Sequence, residues 1–236
     1  MGGRCTDLTS GVNGKFTAWA TTSVTDPTTL LRPAVITDHN GAGIGINSSD
    51  TNTPEGPPNH AVDSEGRDEL LLINFGSQRV SLTGVSSGWS QTDTDVSLLR
   101  WTGSSAPNLS NMSLTGSSNG LLASGWALVA SADMDGAATS TGTNYGTTSM
   151  SLTSSATASS WWIVSAYFGG NSGNLDRDND FFKLLTVSGC VGTFVNGKCS
   201  AGSTGTGNSV PVPGTLALAG LGLAAFAWRR RAAAAR

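Results

Sequence analysis

Short apolar runs, separated by Gly, Asn, Asp, Ser and Pro, occupy the chain between positions 15 and 187. Each run has the length of an ordinary β-strand, and no stretch before position 210 carries the i, i+3, i+4, i+7 stripe of a stable helix. The predicted strands are residues 15–21, 42–46, 70–75, 79–85, 96–101, 125–130, 149–153, 160–168 and 181–187. Consecutive strands with no helix between them predict an all-β domain, an antiparallel two-sheet β-sandwich that is jelly-roll-like.

The run at 160–168, Ser-Trp-Trp-Ile-Val-Ser-Ala-Tyr-Phe, differs from the others because its apolar residues are consecutive. A strand with one face in water alternates apolar and polar residues, as Val80, Leu82 and Val85 partly do. The run at 160–168 therefore predicts a central strand whose two faces are both covered.

Charged residues make up only 12% of the chain, about half the usual share for a soluble protein. The 31 glycines and the many Ser and Thr residues are typical of secreted β-proteins, which stay soluble through hydroxyl and amide groups. The net charge is −3, and basic residues cluster only at the C-terminus. Because phosphate contact needs clustered Lys and Arg, nucleic-acid binding is disfavoured.

The chain has three cysteines, at positions 5, 190 and 199. Between Cys190 and Cys199 lie Gly192 and the turn signal Asn196-Gly197, which allow the chain to double back. We interpret this segment as a hairpin closed by a Cys190–Cys199 disulfide; the alternative is two unrelated buried thiols. This pattern supplies no partner for Cys5.

Composition divides the chain into three parts. Residues 1–199 hold the β-sandwich domain, 200–209 form a flexible Gly/Ser/Thr linker, and 210–236 form a tail. The tail begins with 19 uncharged residues, 210–228, which is close to the minimum for crossing a bilayer. We predict a transmembrane helix over 214–228 and a cytoplasmic arginine cluster over 229–236, since arginines resist translocation. The alternative is a buried core helix with a basic end.

Three features of the tail occur in a fixed order: Pro211-Val212-Pro213-Gly214, a Leu/Ala/Gly-rich span, and Arg229, Arg230 and Arg231. This arrangement resembles the PEP-CTERM sorting signal of Gram-negative bacteria. The resemblance implies transit through the inner membrane, processing by the membrane protease exosortase, and delivery to the cell surface or the exopolysaccharide matrix. The family motif has Glu between the two prolines, where this chain has Val212.

The upstream domain resembles the exosortase-dependent surface proteins over residues 59–75, 80–85, 93–101 and 180–187. That group has no established activity to transfer, and our first hypothesis for this chain is a non-catalytic structural or interaction role. Export also needs a signal peptide, and the residues after Met1 contain no apolar core of the required kind. Either the true start of the protein lies upstream of Met1 or the chain is not exported, and we predict the former because of the tail.

Acidic residues recur at i, i+2 spacing, which lets two carboxylates converge on one cation such as Ca²⁺. The pairs include Asp93/Asp95 and Asp133/Asp135. The alternative is that these residues form turns and solvated charges. Phe181 stands where an EF-hand loop needs glycine, so a structural calcium of another kind is the hypothesis. Its predicted ligands are Asp63, Glu65, Asp176, Asp178 and Asp180.

Two further functions have candidate residues. A carbohydrate-binding adhesin would stack sugars on exposed aromatic rings, although core packing is the better reading for residues within or beside strands. A serine hydrolase would use Ser86 or Ser118, which fit the G-x-S-x-G pattern, with His39 or His60 as base. No helix is predicted after Ser86, as a nucleophile elbow requires, so we expect no enzymatic activity. The tryptophan candidates are Trp89, Trp101, Trp126, Trp161 and Trp162.

Overall fold

The computed structural model describes residues 4–5, 13–48, 60–134, 147–152, 157–166, 175, 180–195 and 198–200, all of which belong to one compact unit, Met1–Gly202. In these ranges the regular structure is β-strand, apart from one 3₁₀ turn at Leu109–Asn111. The strands are β1 (Arg4–Cys5), β2 (Gly14–Thr21), β3 (Leu31–Asp38), β4 (Ile44–Asn47), β5 (Val62–Asp63), β6 (Glu69–Asn74), β7 (Val80–Thr92), β8 (Asp95–Trp101), β9 (Trp126–Asp133), β10 (Thr148–Ser151), β11 (Trp161–Ala166), β12 (Asp180–Val191), β13 (Thr193–Val195) and β14 (Lys198–Ser200).

Among the described residues, β1 to β12 form one sheet, and every ladder between its strands is antiparallel. The order is β10-β7-β12-β4-β3-β2-β6-β11-β8-β9, with β1 beside β2 and β5 beside β12. The predicted antiparallel all-β domain is confirmed. The two separate sheets of a jelly roll are not observed, because β3 joins both halves into one continuous, nearly closed, barrel-like sheet.

The joining strand β3 was not predicted from the sequence. Its first half pairs with β2, ending at the Ala18–Ala34 pair, and its second half pairs with β4 from Val35 onward. Pro33 lies within it, and proline lacks the N–H that a central strand needs, so the run does not read as a strand. Proline is tolerated here because β3 changes partners just after Pro33.

The main core lies between the two halves of the sheet. Phe16, Ile73 and Trp162 enter it from β2, β6 and β11, while Ile46 and Leu184 enter it from β4 and β12. The indole N–H of Trp162 is fully buried and donates to the Val80 carbonyl at 3.0 Å. A buried indole N–H without a partner would cost free energy, so this bond fixes the largest side chain of the core.

A second core lies on the opposite face of β6, β11 and β8. The connection between β8 and β9 crosses this face and contributes Leu109, Met112, Leu114 and Leu121, which pack with strand residues that include Ile163. Trp162 and Val164 face the main core and Ile163 faces the second one. The prediction that this strand is central and covered on both faces is therefore confirmed.

Strands β12 and β7 form the longest ladder, with paired positions from Asp180–Thr92 to Val191–Val80 and three register shifts between. After β12, the hairpin of β13 and β14 follows at once, and Cys190 and Cys199 form a disulfide with a Cα–Cα distance of 6.0 Å. This is the cysteine pair that the sequence indicated.

The predicted linker at 200–209 begins with Ser200, which is instead the last residue of β14. The rest of that linker and the predicted transmembrane helix at 214–228 lie outside the described residues. Within the part of the chain that is described, no helix has the length and the apolar character needed to cross a membrane.

Candidate functional site

Three aspartates from different parts of the chain meet at one end of the sheet. Asp93 lies in the connection after β7, Asp95 begins β8, and Asp180 begins β12. One carboxylate oxygen from each lies within 4.8 Å of the others, which makes this the acidic group of the described residues with a geometry suited to a cation. We call these three residues the carboxylate cluster.

Backbone and hydroxyl donors hold the carboxylate cluster in place. The Asp95 N–H donates to Oδ1 of Asp180 at 2.7 Å, and the Ser64 hydroxyl donates to Oδ2 at 3.2 Å. The Phe181 N–H donates to the Asp93 carbonyl at 3.0 Å, so the chain after Asp180 is tied to the chain before β8. These bonds orient Asp180 toward the other two carboxylates.

The electrostatics of the carboxylate cluster are unfavourable for three negative charges. Asp95 and Asp180 have no exposed surface, and Asp93 is half-buried. The pKa of Asp180 is raised to about 8, chiefly by burial and further by the charges of Asp95 and Asp93, against the opposing effect of the hydrogen bonds from the Asp95 N–H and the Ser64 hydroxyl. Two things would relieve the repulsion: a proton on Asp180, or a divalent cation held by the three carboxylates.

The predicted calcium ligands are only partly brought together. Asp180 belongs to the carboxylate cluster together with Asp93 and Asp95, and this group does not include Asp63 or Glu65. Asp63 is buried on β5, where its N–H donates to Oε2 of Glu69 at 3.3 Å, and Glu65 is exposed in a turn. The other two predicted ligands, Asp176 and Asp178, lie outside the described residues.

Sequence reasoning noted Asp93 and Asp95 as a pair but did not assign them as ligands. Their i, i+2 spacing was the available signal. What the sequence lacked was the topology that brings β12 beside them, since Asp180 is 85 positions from Asp95.

The tryptophans proposed as sugar-stacking platforms are mostly core residues. Trp89, Trp101, Trp126 and Trp162 are buried, and the rings of Trp101 and Trp126 pack 5.3 Å apart. Trp161 is half-buried at the edge of the second core. The same is true of Trp19 on β2, which the sequence analysis did not single out.

The two candidate nucleophilic serines are in different settings. Ser86 is buried within β7 and shares a short hydrogen bond with the Thr186 hydroxyl, whereas Ser118 is exposed in a turn. A nucleophile elbow places its serine between a strand and a helix, and neither serine has that position. The candidate bases His39 and His60 stack on each other with ring centroids 4.3 Å apart.

All seven residues of the predicted sorting signal, positions 211–214 and 229–231, lie outside the described residues, so the tail is known from its sequence. A folded antiparallel β-domain followed by such a tail defines a class of exported, C-terminally sorted proteins. The sequence model of the PEP-CTERM protein-sorting motif matches residues 209–231 of this chain. The chain therefore carries a PEP-CTERM sorting tail, as its sequence predicted.

This motif supports an exported protein that is sorted toward the cell surface of a Gram-negative bacterium and processed by an exosortase. The match covers the tail alone, so the resemblance of the upstream domain to the exosortase-dependent surface proteins stays a prediction. Comparison with curated proteins and with solved structures found no match.

Proposed function

We propose that this chain is a surface or exopolysaccharide-matrix protein that has a structural or interaction role and no catalytic activity. The observation that carries the proposal is the PEP-CTERM motif at residues 209–231. The tail would hold the precursor in the inner membrane until an exosortase-type enzyme releases the β-domain to the outside.

Two features of the folded domain support this destination. The Cys190–Cys199 disulfide is of the kind that forms and persists in oxidising compartments outside the cytoplasm. Within the described residues, the order of the strands in the sheet also ends at two edge strands, β10 and β9, which limits the unpaired edges that could recruit other chains outside the cell.

The decisive experiment is mass spectrometry of the C-terminus of the protein recovered from the cell surface. We expect a mature form that ends within the tail in the wild-type strain, and an intact precursor in the membrane fraction of a strain without exosortase. Replacing Arg229, Arg230 and Arg231 together by alanine should also leave unprocessed precursor. The matched control is Arg236→Ala, because Arg236 lies beyond the matched residues.

One further variant tests the departure from the family motif. Val212→Glu restores the acidic residue between the prolines, and we expect it to increase the processed fraction. An intact C-terminus on protein found in the cytoplasmic fraction of wild-type cells would contradict the proposal.

Calcium stabilisation of the domain stays a prediction. The three carboxylates of Asp93, Asp95 and Asp180 supply the oxygen ligands that Ca²⁺ prefers, and their mutual repulsion would be relieved by a bound cation. The test is a comparison of stability with and without calcium.

A further inference from the structure

A groove of about 790 Å³ opens on the sheet where β2 and β3 separate. Its walls are residues 15–19 of β2 and 33–36 of β3. The two strands are paired only as far as Ala18 and Ala34, because β3 then turns to pair with β4. The groove is thus a consequence of the same change of partner that makes the sheet continuous.

The strand alternation divides the groove into a floor and a rim. The floor is made of side chains that pack in or against the main core, Phe16, Ala18, Ala34 and Ile36. The rim carries side chains that alternate with them and point outward, Lys15, Thr17, Trp19, Pro33 and Val35. Val35 is 64% exposed, so the rim presents apolar surface to the solvent.

Trp19 is held in a fixed position on this rim. Its indole N–H donates to the Thr17 hydroxyl on the same strand at 3.1 Å. Part of the ring packs against the second core, and Pro33 is its cross-strand partner. A ring fixed in this way offers a flat apolar face without the entropic cost of ordering it on binding.

The charge on the described part of the rim is positive. Among the groove residues that the structure describes, Lys15 is the charged one, and it is exposed. Lys15 and Trp19 are four positions apart on one strand, which places them ~13 Å apart on the same face. The ammonium and the indole can therefore contact different units of one extended ligand.

We infer that the groove between β2 and β3 binds an acidic polysaccharide, with a sugar ring stacked on Trp19 and a carboxylate paired with Lys15. Sugars combine apolar ring faces with many hydroxyls, and this rim combines an indole, a proline ring and a valine with the Thr17 hydroxyl. An anionic polysaccharide also supplies a carboxylate for the ammonium of Lys15. The inference concerns the folded domain and does not depend on the sorting tail.

The test is affinity electrophoresis of the purified full chain, in non-ionic detergent, through gels that contain alginate as the acidic probe or dextran as the neutral one. We expect alginate to retard the wild-type chain more than dextran does. Trp19→Ala should weaken retardation by about tenfold, the scale of one lost aromatic contact. Lys15→Gln should weaken it by about two- to fivefold and reduce its dependence on salt.

Two controls separate binding from folding. Trp161→Ala removes another half-buried tryptophan of the second core that lies outside the groove, and it should leave retardation unchanged. Trp19→Phe keeps a ring on the rim and should retain most of the binding, and Lys15 is exposed, so Lys15→Gln should not disturb folding.

Equal retardation by alginate and dextran would overturn the inference. So would alginate retardation that persists in both Trp19→Ala and Lys15→Gln, or binding of an extended apolar peptide with no binding of alginate. Because localisation of the protein is measured separately, a failure here leaves the proposed export intact, and a failure of export leaves this binding measurable.

Discussion

The backbone N–H of Asp95 donates a hydrogen bond of 2.7 Å to Oδ1 of Asp180, which lies 85 positions further along the chain. This bond ties the first residue of β8 to the first residue of β12, two strands that are not neighbours in the sheet. It also brings two fully buried carboxyl groups together. The stability of the domain should therefore respond to whatever neutralises Asp180.

We predict that without calcium the free energy of unfolding falls as the pH rises from about 4 to about 8. In the folded chain the pKa of Asp180 is raised from 3.8 to about 8, chiefly by burial. In this window the folded state keeps a proton that the unfolded state has lost, so raising the pH favours unfolding. Asp180→Asn should remove this part of the slope, because an amide keeps the shape and cannot ionise.

Urea denaturation at pH 5, 7 and 9 with a chelator would measure the effect. The matched control is Asp38→Asn, since Asp38 is exposed and lies outside the carboxylate cluster. Identical slopes for the wild type and for Asp180→Asn would show that Asp180 is not the titrating group.

Calcium should reverse the destabilising effect of high pH. We predict that millimolar Ca²⁺ raises the unfolding midpoint of the wild type at pH 8, because the cation offsets the repulsion among Asp93, Asp95 and Asp180. The gain should be lost in Asp95→Asn and kept in Glu65→Gln, whose residue is exposed and outside the carboxylate cluster. Thermal melts with CaCl₂ and with EGTA provide the comparison, and an unchanged wild-type midpoint would remove the calcium hypothesis.

Loss of the disulfide should destabilise the domain moderately. Cys190 and Cys199 are nine positions apart, and closing a loop of that length contributes about 2–3 kcal/mol in the chain-entropy model. We predict a loss of this size in a Cys190→Ser/Cys199→Ser double variant, measured by urea denaturation. A reducing agent should have the same effect on the wild type and none on the double variant. A loss below about 0.5 kcal/mol would mean that the hairpin of β13 and β14 holds without the bond.

Gly45 should tolerate no side chain. A Cβ atom at this position on β4 would lie 2.0 Å from the His60 carbonyl oxygen, which is backbone and can move away only with its segment. We predict that Gly45→Ala costs about 2–3 kcal/mol or more of stability, the upper range for overpacking. Gly41→Ala, on the neighbouring turn, has open space but a φ of +89°, so it should cost only about 1–2 kcal/mol. The ranking of the two denaturation midpoints checks the argument.

The strands that could be predicted were those whose signal lies within their own run of residues. The run around Trp162 could be predicted as a central strand because its apolar residues are consecutive, and alternate residues pack into the two cores. The hairpin between Cys190 and Cys199 could be predicted because the segment contains its own turn signal. Each of the nine predicted runs overlaps an observed strand, although β7 and β12 extend beyond their predicted ends to Thr92 and Val191.

The features that escaped prediction depend on partners that are distant in sequence. Strand β3 was not predicted because Pro33 lacks the N–H that a central strand needs. The strand tolerates this proline because it changes its pairing partner from β2 to β4 just after it. The carboxylate cluster forms only when Asp180 lies beside Asp95, and the sequence around each residue contains no signal for this long-range contact. Trp19 looked like an ordinary strand residue, and only the structure places it at the groove, beside its cross-strand partner Pro33.

The disulfide also has a mechanical consequence for a domain that is pulled from its C-terminal end. Tension arriving at Ser200 passes through Cys199 to Cys190 and bypasses the intervening hairpin. It then acts along β12, whose ladder with β7 runs from Val191–Val80 to Asp180–Thr92. For a pull directed along β12, many of these hydrogen bonds share the force instead of opening one after another. The disulfide thus passes the load directly to the strand that has the longest ladder in the sheet.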